Sequence, residues 1–117
     1  MRGRTYIPKD ASELLDHLAY MFLTSPTFKD GTGYFPRQNI DTAFLGLNEG
    51  LLVIRKTLGE ERYATLKALS DKMRAMFEAD PEDKTGEARA GRQIIREMEP
   101  ILISVAIEEE RASPRAS

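Results

Sequence analysis

His17 is the only histidine in this chain of 117 residues, and Glu13 stands four positions before it in a stretch with helical periodicity. Residues four apart share a helix face, so the two side chains can pair or begin a metal site. A metal centre needs further ligands, and the Glu-x-x-His pairs with which helical bundles hold two irons are missing. His17 therefore reads as a partly exposed side chain paired with Glu13 or capping the surface. The chain contains no cysteine, which excludes disulfides, zinc–thiolate sites, iron–sulfur clusters and thiol catalysis. Gly31-Thr32-Gly33 has the small residues of a phosphate-cradling loop. It lacks the lysine-plus-hydroxyl ending of a P-loop and the strand–glycine–helix context of a dinucleotide site. No serine sits in a nucleophile-elbow pattern, and Glu97, Glu99 and Glu108 fall on solvated helix faces. No catalytic residue, cofactor or metal is expected, and the chain reads as a non-enzyme.

Recognition chemistry gathers instead between Pro26 and Gln38, where three of the nine aromatic residues lie. Phe28, Lys29, Tyr34, Phe35 and Arg37, with glycine-exposed backbone between them, form a candidate surface for a partner or ligand. The competing account is that the rings of Phe28, Tyr34 and Phe35 fold back and plug one end of the fold. Asp30-Gly31 is a tight-turn pair, so a short hairpin in this loop is conceivable.

Helices must position this loop. Asp10 with Glu13 makes a capping box for a first helix ending at Ser25-Pro26, with Leu14, Leu18, Met21 and Phe22 inward. A stripe at Ile40, Phe44, Leu47, Leu51, Ile54 and Leu58 predicts a second helix, capped by Asn39 or Asp41 and stopped by Gly59 in a left-handed conformation. Gly46 and Gly50 share one side of it and predict close backbone packing, or else room for a pocket. Leu66, Leu69, Met73 and Met76 mark a third helix, followed by a polar connector in which Thr85 or Asp83 caps the next. Ile94, Met98, Ile101 and Val105 mark a fourth, interrupted by Pro100, where a kink or a fresh start is expected. Helix is preferred over strand for residues 101–107 because the stripe stays in phase across the proline.

The expected fold is thus all-α: one domain over residues 1–117, an antiparallel four-helix bundle with helices near 10–24, 40–58, 60–79 and 87–110. Its long aromatic and glycine-containing loop joins helices one and two. The ordered core should span about 8–110, with mobile ends. Leu45 and Leu52, and likewise Ile95 and Leu102, lie seven apart on flanks wider than one seam requires, and are the candidate dimer seam. A net charge of −2 and a pI near 5.5 argue against a nucleic-acid binder. No apolar run approaches the roughly 20 residues of a membrane span, and no signal-peptide pattern follows Met1, so a cytoplasmic protein is expected.

The connector Pro81-Glu82-Asp83-Lys84-Thr85-Gly86-Glu87-Ala88, set between two long helices, resembles the corresponding turn of the small helical antiactivators that sequester quorum-sensing regulators of conjugal transfer. The resemblance covers at most a third of the chain. It implies a binding role and assigns no residue. The leading expectation is a small non-enzymatic interaction or regulatory protein of bacterial type whose partner is another protein or a second copy. The alternative is a small-molecule binder with an apolar pocket near Gly46, Gly50 and the 26–38 loop.

Overall fold

The computed structural model describes residues 6–29 and 39–112. Among them the chain is all-helical, in the order α1 (Ala11–Thr24), α2 (Ile40–Val53), α3 (Arg55–Leu58), α4 (Glu60–Ala79) and α5 (Glu87–Ala112). The expected mobile ends and most of the conceivable hairpin fall outside the described residues. α5 packs on α4 and α1, α2 packs on those same two helices, and α3 rests on α2, α4 and α5. Among the described residues the backbones of α1 and α4, and those of α2 and α5, do not approach one another closely. Each of the four long helices therefore buries a face against two of the others.

Local chemistry explains the element boundaries. Asp10 accepts the Glu13 amide at 2.9 Å, while the Glu13 carboxylate turns back to the Lys9 amide at 2.9 Å. From α5, Glu109 accepts the first amide of α1, at Ala11, at 3.0 Å. Asn39 and Thr42 form the reciprocal capping box of α2, each side chain accepting the other's amide at 3.0 Å. The second helix does not run unbroken to Leu58 as expected. Ile54 leaves helical geometry (φ −102°, ψ 15°) and separates α2 from the single turn of α3. Gly59 follows at φ 82° and ψ 159°, a region that only glycine occupies without strain. Arg62 then donates to the carbonyls of Leu58 (2.7 Å) and Thr57 (3.2 Å), satisfying the end of α3, and pairs with Glu108 of α5 at 3.0 Å.

Between α4 and α5 neither expected residue provides the main cap. Asp80, 2 % exposed, accepts the amides of Lys84 (2.7 Å), Thr85 (3.2 Å) and Ala88 (2.9 Å). The Ala88 bond and the two loop amides hold its carboxyl down at about 2, against the opposing effect of its burial. Thr85 contributes only a long 3.4 Å bond from Glu87, and Asp83 instead pairs with Arg92 at 3.0 Å. α5 continues through Pro100 as one helix, so the segment after it is neither a strand nor a fresh start. Pro100 is exposed, which places the Arg96 carbonyl it deprives of a partner on the solvent side.

Three rings join the elements at one end. Phe28 packs edge-on against Phe44 (5.8 Å) and Phe77 (5.2 Å), and all three are fully buried. A methyl group built on Gly91 would stand 2.8 Å from the Phe77 ring, so α5 carries glycine where that ring crosses it. Gly91→Ala should cost about 1–3 kcal/mol by overpacking, read from urea unfolding. Combined with Phe77→Leu, the loss should be smaller than the sum of the two single losses.

Asp80→Asn should lower stability across the neutral range. The folded-state carboxyl lies below its unfolded value, so the contribution is present above pH about 3.9 and disappears as pH falls towards the folded value of about 2. Unfolding curves of wild type and variant should therefore converge in strong acid.

Candidate functional site

The structure divides the sequence-derived candidates. Phe28 is fully buried in the ring cluster and unavailable to a partner, which agrees with the plug account and corrects its place in the candidate surface. Lys29 is exposed, and Tyr34, Phe35 and Arg37 lie outside the described residues. Lys29 stands at a cleft of about 310 Å³ lined by Pro26, Thr27, Asn39, Ile40, Phe77, Glu78 and Pro81.

The proposed seam splits in two. Ile95 and Leu102 are 0 % exposed and belong to the core, a correction with a simple cause. Because α5 packs on both α1 and α4, it must bury two seams rather than one. Leu45 and Leu52 remain 47 % and 45 % exposed on the outer side of α2, and Val53 beside them is 56 % exposed. Helical spacing aligns Asp41, Leu45, Glu49, Leu52 and Val53 on this side, all exposed, with exposed Lys56 just beyond in α3. Asp41 is held by Arg74 from α4, which also pairs with Glu78 at 2.9 Å. The result is a row of three apolar side chains interleaved with Glu49 and flanked by Asp41 and Lys56. Val53 was missed because the sequence reading paired only residues seven apart, and Val53 has no such apolar partner on this side.

A second apolar strip, Ile103 and Ile107 at 48 % exposure each, lies on the outer side of α5. The sequence signal was their four-residue spacing on the side that also carries Pro100.

His17 is not the expected surface residue. It is 7 % exposed, with the rings of Tyr6 and Tyr20 tilted against it at centroid distances of 6.0 and 5.5 Å. Its Nε2 stands 2.8 Å from the Ala43 carbonyl. A carbonyl only accepts, so Nε2 carries the proton. Burial pushes the imidazole below its ordinary value, and the Ala43 bond opposes this. Glu13 is engaged by Tyr6 and Lys9 rather than by His17. The space over Gly46 and Gly50 is filled: a methyl group on Gly46 would lie 2.8 Å from the Tyr6 carbonyl, and one on Gly50 2.8 Å from Leu14. Close packing accounts for both glycines.

Among the described residues no group of three His, Asp or Glu side chains is placed to hold a metal ion. None of the described helices is long and apolar enough to cross a membrane. Comparison with protein families, curated proteins and solved structures finds no match for this chain.

The two halves of the former seam should respond differently to substitution. Leu52→Lys should shift folding stability by no more than about 0.5 kcal/mol, whereas Leu102→Ala should cost about 2–5 kcal/mol. Thermal unfolding followed by circular dichroism separates these outcomes.

Proposed function

We propose that this protein is an antiparallel four-helix bundle, with α2 and α3 as two halves of one arm, and that it acts without catalysis by docking another protein on the outer face of α2. The observation that carries the reading is the row Leu45, Leu52 and Val53, three large apolar side chains about half exposed on one helix side. Isolated exposed apolar residues are ordinary, but three on one helix side, interleaved with Glu49 and flanked by Asp41 and Lys56, combine apolar and charged groups as docking surfaces do. The closed ring of helix contacts supports the bundle. The connector over 81–88, by its resemblance to the turn of helical antiactivators, supports a binding role.

Self-association through the same face is the second reading. Asp41 at one end and Lys56 at the other would meet as opposite charges if two copies lay antiparallel.

The two readings separate in one pair of measurements. Immobilised wild-type protein should retain a defined partner from a native bacterial lysate, and Leu45→Asp/Leu52→Asp should lose it while keeping its helical spectrum. Light scattering coupled to size exclusion then tells whether the retained species is a second copy. Equal retention by wild type and variant would remove α2 as the surface.

A further inference from the structure

We propose that residues 6–9 are a pH-latched strap, docked across α2 when His17 is neutral and released when it takes up a proton. The strap has three points of attachment. The Tyr6 carbonyl lies over Gly46 and the Pro8 ring over Gly50, so close that a methyl group on either glycine would meet them at 2.8 and 3.2 Å. The Tyr6 hydroxyl (3.2 Å) and the Lys9 amide (2.9 Å) both donate to one oxygen of Glu13. The Tyr6 ring covers His17, whose Cε1 is itself 3.0 Å from the methyl position of Gly46.

His17 thus forms the floor under the strap, and its surroundings suit a neutral ring. The strap places Tyr6 against it, with the Lys9 amide bound to Glu13. α1 contributes Tyr20 and Glu13, whose carboxylate is occupied by the strap, with Asp10 and Asp16 further out. α2 presents the Ala43 carbonyl and the bare Gly46 backbone. The Ala43 bond uses Nε2 in either charge state, so protonation adds a donor at Nδ1 and a full charge under the Tyr6 ring. Moving the strap aside brings water to both.

The direction follows by linkage. Burial holds the imidazole below its ordinary value in the docked form, and removal of the strap returns water to it, so undocking takes up a proton. Docking is complete above pH about 6.5, the ordinary histidine value, and weakens as pH falls through the docked value. Release has a defined structural consequence. Gly46 and Gly50 adjoin Glu49 and Val53 in helical register; His17 and Leu14 of α1 stay over the two glycines, so undocking widens the exposed row on α2 only along the edge that the Tyr6 carbonyl and the Pro8 ring had covered. That consequence for partner binding rests on the docking role proposed for α2; the latch itself does not.

Amide exchange of the full-length protein, expressed as protection factors at pH 7.5 and 5.5, tests the latch. Protection of the Lys9 amide should fall over this range while that of Met98 in α5 holds, and His17→Gln, which keeps a neutral donor, should abolish the fall. Gly46→Ala should strip Lys9 of protection at both pH values, giving a second readout should the glutamine variant fail to fold. Lys9 protection that is flat with pH in the wild type would overturn the proposal. So would a fall that persists in His17→Gln, a fall shared equally by Met98, or full protection in Gly46→Ala. A latch that behaves as stated, in a protein whose partner capture is insensitive to Leu45→Asp/Leu52→Asp, would refute the docking surface and leave the strap standing.

Discussion

The Phe77 ring is the contact on which the remaining architecture depends. It touches Phe28 from the turn after α1, inclines against Phe44 of α2 at 6.5 Å, and presses into the Gly91 gap of α5. Four segments are thereby fixed at one point. Phe28 reaches it only by adopting φ 61°, which costs a residue with a side chain about 1–2 kcal/mol. Full burial of a phenylalanine returns about 1.5–3 kcal/mol before the edge-on contacts are counted, and its amide and carbonyl are satisfied by Thr24 at 2.8 Å and Tyr20 at 3.2 Å. Burial outweighs strain, so the turn holds. With Phe44 held inward, the rotation of α2 is set: Leu47 and Leu51 follow it into the core, and Leu45, Leu52 and Val53 face out. The candidate docking face is therefore a consequence of core packing.

Away from that cluster, polar side chains hold the helix ends. Asp80 gathers three amides, Arg62 closes α3 onto α5, Glu109 caps α1 from the far end of the chain, and Ser70 bridges α4 to Asn48 of α2 at 2.8 Å. Most of the ion pairs are largely exposed and contribute little to stability individually. Their effect is on placement. Arg74, bound to Asp41 and Glu78, ties the start of α2 to α4 and rims the apolar row with fixed charge.

Periodicity made most of the helices legible, because a 3.6-residue apolar stripe is a local property of the chain. It located α1, α4 and α5 within a few residues, and the glycine between α3 and α4 announced its positive φ. What periodicity cannot express is which neighbour covers a flank. Leu45/Leu52 and Ile95/Leu102 have the same seven-residue spacing, yet the first pair faces out and the second is buried, because α5 lies between two partners. The break at Ile54 left no mark, since its side chain stays in phase with the core stripe. Asp80 was hidden for a related reason: its capping targets are four to eight residues away, beyond the usual Ncap–N3 pattern. His17 was misplaced because the sequence could not show that Tyr6 and Gly46 close over it.

In this account the inner side of α2 builds the fold, one flank receives the strap, and the outer side is left for a partner. Its central claim is tested most directly by site-specific photo-crosslinking in a native lysate, with the probe at Leu52 or, as a control at an exposed position on another helix, at Ala68 of α4. The account predicts a discrete crosslinked species from Leu52 and none from Ala68. Crosslinking of equal strength from both positions, or from neither, would contradict it.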